Sequence, residues 1–137
     1  MKIYFLIKRF YKFFKLIKYQ TNHHYRTLVK SGLFDKHYYI RNDSGLDPRY
    51  THPLIHYIEL GWTEGRIPNP LFDSAYYRHM IPECEGMDPL LHYVESGWAN
   101  GANPMPLFFT SWYAVEYPES TRNGNNPLRH YLQIGWQ

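Results

Sequence analysis

Three histidines stand at equivalent places in the chain, His56, His92 and His130, each followed by a tyrosine, Tyr57, Tyr93 and Tyr131. Imidazoles in a regular pattern raise the question of a metal, but a metal takes its ligands within a few ångströms of one centre. Equivalent positions in stacked helical units lie about 8–10 Å apart at the least. The pattern therefore assigns these rings to structure, each partly buried and bonded to a neighbouring backbone carbonyl, with neither a metal nor a cofactor. Three tryptophans, Trp62, Trp98 and Trp136, recur in the same way. Exposed indole faces can stack on sugar rings, which makes these three candidate glycan contacts. Aromatics at fixed repeat positions more commonly form the packing between repeats.

Other reactive groupings are thin. Arg66 with Glu64 can bind a phosphate or sugar nucleotide, yet the equivalent stretch downstream reads Asn100-Gly101-Ala102, so a loop ion pair is expected instead. There is no Gly-rich phosphate loop, no Asp-x-Asp pair and no Gly-x-Ser-x-Gly elbow. The one cysteine, Cys84, excludes a disulfide scaffold. Its neighbours Glu83 and Glu85 should raise the thiol pKa and disfavour a nucleophile. Catalysis is not expected.

The elements that position these residues come from a repeat. Leu33-Phe34-Asp35 returns as Leu71-Phe72-Asp73 and, altered, as Leu107-Phe108-Phe109. An aromatic pair follows each time: Tyr38-Tyr39, Tyr76-Tyr77, Trp112-Tyr113. A Pro-Leu-x-His-Tyr run then starts at Pro53, Pro89 and Pro127, and the units close on Gly61-Trp62, Gly97-Trp98 and Gly135-Trp136. The period is 36 or 38 residues. The two-residue variation falls where Asp43-Ser44-Gly45 and Asn123-Gly124-Asn125 read as loops. Such recurrence marks an array of like units.

Each unit reads as two short helices. Asp35 and Asp73 suit the N-cap of the first, and Thr110 is expected to cap the third copy, where Phe109 replaces the aspartate. Proline opens the second helix, where its missing N–H costs nothing. Gly61, Gly97 and Gly135 are expected to stop it in the left-handed conformation. Helices of about eight residues are unstable alone. They must bury Phe34, Tyr39, Tyr57 and Trp62, with their counterparts Phe72, Tyr77, Tyr93, Trp98, Phe108, Tyr113, Tyr131 and Trp136, against one another. The predicted fold is all-α. Three stacked two-helix repeats (31–70, 71–106, 107–137) form a domain over 31–137, preceded by a basic amphipathic helical segment over 1–30.

The pattern Leu-Phe-Asp-x-x-Tyr-Tyr … Pro-Leu-x-His-Tyr-x-x-x-Gly-Trp-x-x-Gly-Arg-x-Pro-x-Pro resembles the repeat that accompanies bacterial glycosyltransferases and rhamnan-synthesis-type proteins. The first copy matches best, through Gly65-Arg66 and Pro68-Asn69-Pro70, and the likeness covers residues 31–137. What the resemblance implies is a setting, cell-surface polysaccharide assembly, and a partner such as a glycosyltransferase or another assembly protein. It implies no chemistry of the repeats' own, since in that family they sit beside a separate transferase domain. A glycan-binding module, or a piece of a transferase without its catalytic domain, are the alternatives it leaves open.

Composition separates this body from its head. At 137 residues the chain has the length of one domain, and 19% aromatic residues exclude an ordinary disordered polar segment. The overall charge of +3 divides into +8 over residues 1–34, which hold no acid, and −5 over the remainder. Lys2, Lys8, Arg9, Lys12, Lys15 and Lys18 accompany an apolar series that includes Ile3, Ile7, Phe10, Phe13, Phe14 and Ile17 at three- and four-residue steps. The longest apolar run is far short of the roughly 20 residues that cross a bilayer. An anionic membrane surface is the expected partner, with the apolar face packed onto the body as the competing expectation. An isolated basic run on an acidic body argues against nucleic acid. A peripheral position at the inner, cytoplasmic membrane face is expected.

Overall fold

The computed structural model describes residues 2–42, 45–49 and 51–135, the side chain of Lys2 apart. Among them every regular element is helical. Helix α1 (Lys2–Tyr19) is followed by α2 (His23–Ser31), which Asn22 caps through Tyr25 N and which stops at Gly32 with φ 67°. Three like units come next. Their first helices are α3 (Lys36–Arg41), α5 (Ser74–Met80) and α7 (Thr110–Glu116). Their second helices start with α4 (Pro53–His56), α6 (Pro89–His92) and α8 (Pro127–His130), with proline in the first turn each time.

The capping aspartates behave as their side chains dictate. Asp35 accepts from His37 N and Tyr38 N, and Asp73 from Ala75 N and Tyr76 N. In the third unit the expected cap is corrected. Thr110 is the first helical residue, and Phe109 holds the N-cap position without a side-chain bond. The Thr110 hydroxyl donates to Ala102 O at 2.7 Å, and Asn103 Oδ1 accepts from Thr110 N.

The end of the second helix also departs from expectation. Each of α4, α6 and α8 widens into a π turn, Tyr57–Gly61, Tyr93–Gly97 and Tyr131–Gly135, in which bonds run from residue i+5 to i. Gly61 and Gly97 are not left-handed stops. Neither has a positive φ, and the helical backbone continues through them to Trp62 and Trp98. The left-handed glycines lie beyond, at Gly65 and Gly101. In the loop of the third unit Asn123 and Gly124 both take positive φ, whereas Asp43 and Ser44 lie outside the described residues.

Each unit holds its own cluster of aromatic rings in the core. In the first unit Phe34 lies 5.1 Å from Tyr39 between ring centres, and Tyr39 stands edge-on to Tyr57 at 5.8 Å. The second unit gives 5.3 Å for Phe72–Tyr77 and 5.9 Å for Tyr77–Tyr93. The third gives 5.2 Å for Phe108–Tyr113 and 5.8 Å for Tyr113–Tyr131. Edge-to-face geometry of this kind adds to the burial itself. Successive units are joined by polar contacts from the tyrosines of the π turns. Tyr57 Oη donates to Asp88 Oδ1 at 2.7 Å, and Tyr93 Oη meets Thr110 Oγ1 at 3.4 Å. Helix α2 belongs to this body: Leu28 is fully buried in the core and His24 Nε2 pairs with Asp88 Oδ2.

Candidate functional site

Two places carry the residues singled out by the sequence, the first helix and the repeated Tyr–His–Gly–Trp set. Helix α1 meets the body on its basic side. Lys12 Nζ donates to Pro48 O at 2.5 Å, Lys15 Nζ pairs with Glu59 Oε2 at 2.5 Å, and Tyr19 Oη donates to Glu59 Oε1 at 2.8 Å. Burial alone would raise the Glu59 pKa, but the hydrogen bonds from Lys15 and Tyr19 and the Lys15 charge hold it below its ordinary value. Tyr19 is pushed up to about 12 by burial and by Glu59.

The apolar face is turned away. At about 100° per residue, Ile3, Leu6, Ile7, Phe10, Phe13, Phe14 and Ile17 share one side of α1, opposite Lys8, Lys12, Lys15 and Tyr19. All seven are exposed, Phe13 at 58% and Phe14 at 65%. The packing of this face onto the body is therefore corrected, because polar bonds from the other face hold the helix. Arg9 and Lys18 flank the apolar strip on its two sides, and both are exposed. No described helix is long and apolar enough to cross a membrane.

The repeated histidines have a partner that the sequence reading did not identify. Tyr39 Oη lies 2.8 Å from His56 Nδ1, Tyr77 Oη 2.8 Å from His92 Nδ1, and Tyr113 Oη 2.9 Å from His130 Nδ1. The bond to a backbone carbonyl is replaced by a side-chain pair between the two helices of each unit. Burial raises the pKa values of Tyr77 and Tyr113, which keeps each phenol neutral. Where the phenol donates to Nδ1, the imidazole carries its proton on Nε2.

The same hydroxyl explains the glycine. A Cβ on Gly61 would collide with Tyr39 Oη, and one on Gly97 with Tyr77 Oη. Each glycine is a notch in the second helix for a tyrosine tip from the first. Equal 36–38-residue spacing of Tyr, His and Gly was the available signal, and it lacked only the geometry that brings the three together.

Trp62 and Trp98 are half-buried against the core. Their indole N–H groups donate to the carbonyls four residues back, Ile58 O at 2.9 Å and Val94 O at 3.1 Å. The Arg78 guanidinium lies over the Trp62 ring, 5.9 Å from its centre. Trp136 lies outside the described residues. Arg66 Nε pairs with Glu64 Oε2 at 2.6 Å, the loop ion pair anticipated from sequence. Cys84 is buried, and burial ahead of its acidic neighbours pushes the thiol pKa up. Among the described residues no three His, Cys, Asp or Glu side chains converge as a metal set does. Compared with protein-family models, curated proteins and solved structures, the chain matches none of them.

Proposed function

We propose that this chain is a non-catalytic interaction module of bacterial cell-surface polysaccharide synthesis, held at the inner membrane face by α1. The observation that carries the reading is the outward aromatic face of α1, fixed in that orientation by the bonds of Lys12, Lys15 and Tyr19 to the body. Phe10, Phe13 and Phe14 then enter the boundary between headgroups and acyl chains, while Arg9 and Lys18 meet anionic headgroups. Each nearby cation adds about 1 kcal/mol at such a surface. The repeats receive a glycosyltransferase or another assembly protein, and function comes from concentrating that partner at the membrane. The polysaccharide setting rests on the likeness of the repeat pattern.

A glycan track along Trp62 and Trp98 has less support, since their indole N–H groups are spent on backbone carbonyls and Arg78 covers one ring.

Co-flotation with vesicles of phosphatidylglycerol and phosphatidylcholine tests the reading. The chain should bind the anionic vesicles, less so at high salt. Replacing Phe10, Phe13 and Phe14 together by serine should weaken binding by at least about tenfold, given the apolar area removed. Equal binding by the triple variant would overturn the membrane role of this face.

A further inference from the structure

Beneath α1, on the side away from the outward aromatic face, lies a cavity of about 410 Å³ between α2 and the first repeat. Its size falls within the range of small-ligand sites. The walls are mostly apolar, with Leu28 and Val29 from α2 and Phe34, Ile40 and Leu54 from the first repeat. Three nitrogen-bearing side chains join them: Lys12 from α1, Lys36 at the start of α3, and His52 just before α4.

Among the described lining residues none is a carboxylate. The nearby acids are engaged elsewhere, Asp47 with Arg49 and Glu59 with Lys15. His52 Nδ1 is buried and has no hydrogen-bond partner. Such an orphan atom is costly and calls for an occupant. Burial first, and then the charges of Lys12 and Lys36, hold the His52 imidazole below its ordinary pKa. Burial disfavours any lone charge, but the Lys12 and Lys36 charges that oppose a cation at His52 favour an anion beside it.

We propose that this cavity binds a single-chain anionic amphiphile, its chain among Leu28, Phe34, Ile40 and Leu54 and its head between Lys36, Lys12 and His52. The Nδ1–H form of His52 donates to an oxygen of the head, Lys36 pairs with it at the rim, and Lys12 adds its charge. A free anion lacks the apolar contacts and a neutral surfactant lacks the head, so both are poorer ligands.

Dodecyl phosphate, below its micellar concentration, is the probe. Calorimetry on the full chain should show one site, and nitrogen NMR of His52 should show its pKa rising on binding. Lys36→Glu, on an exposed rim residue that the fold does not need, should weaken binding by at least about tenfold, as expected for a lost charge-assisted bond. Phe13→Ser, on the far face of α1, should leave this site unchanged, which separates it from membrane docking. Inorganic phosphate and dodecyl maltoside should bind far more weakly. Absence of binding would overturn the proposal. So would dodecyl maltoside or inorganic phosphate binding as tightly, Lys36→Glu having no effect, or a His52 signal that does not respond.

Discussion

Aromatic side chains meet opposite fates in two regions of this molecule. In the repeats Tyr39, Tyr77 and Tyr113 are buried, each with its ring against a second tyrosine and its hydroxyl on a histidine. On α1 the rings of Phe10, Phe13 and Phe14 stand in solvent. Burial needs a groove for the ring and a partner for any polar tip. The repeats supply both, with glycine as the groove and histidine as the partner. Helix α1 has its basic side tied to Pro48 and Glu59, and that choice of side leaves its phenylalanines outward. The contrast separates residues that make the fold from residues available to bind.

The sharpest break on the repeat side is Asp88. Its buried carboxylate accepts from Tyr57 Oη and Leu90 N and pairs with His24, joining the first unit, the second unit and α2. Asp88→Ala leaves those donors unpaired and should cost about 3 kcal/mol in chemical denaturation. A cost under about 1 kcal/mol would remove Asp88 from the centre of the assembly.

Gly97→Ala puts a methyl against the Tyr77 hydroxyl and should cost about 2 kcal/mol by overpacking. Gly65 is its control, because a Cβ there meets nothing within 4 Å. Its positive φ alone should cost about 1 kcal/mol. If Gly65→Ala proved the costlier change, the notch account would fail. Tyr77→Phe removes only the hydroxyl facing His92 and should cost about 1 kcal/mol, with the His92 ring signals shifting in NMR.

Smaller effects belong to α1. Glu59 titrates below its ordinary 4.5 in the folded chain, so its contribution is complete above that value. It is lost as the pH falls through the lower folded pKa. With both side chains near 30% exposed, the pair is worth a few tenths of a kcal/mol. The protection of α1 amides, taken relative to their intrinsic exchange rates at each pH, should fall slightly in acid while that of the repeats holds; a parallel fall in both would deny the pair its local role. Phe13→Ser should change stability by less than about 0.5 kcal/mol, since the ring touches solvent. A larger loss in thermal melting would mean that the face is packed.

Much of the scaffold was legible because its signals are local. Asp35, Asp73 and the prolines at 53, 89 and 127 act within one turn of their own positions, and the 36–38-residue period announces like units. The π turns at 57–61 and 93–97 have no such local mark. The partnership of Tyr39 with His56 spans 17 residues and needs the angle between two helices. The glycine pattern was visible, yet a helix stop and a notch for a tyrosine tip use the same residue, and only the packed neighbour distinguishes them. For α1 the pattern showed two faces. Which one meets the body depended on a backbone carbonyl at Pro48 and on Glu59, whose positions no periodicity encodes.

A spin label reads the outward face of α1 directly. A nitroxide at Phe13→Cys should gain oxygen accessibility and lose access to a water-soluble nickel reagent when phosphatidylglycerol vesicles are added. The same label at Lys36→Cys on the body should not change. Insertion at position 13 alone is the predicted result; a label at 13 that stays in water on bound vesicles, or one that inserts equally at 36, would contradict docking through this face.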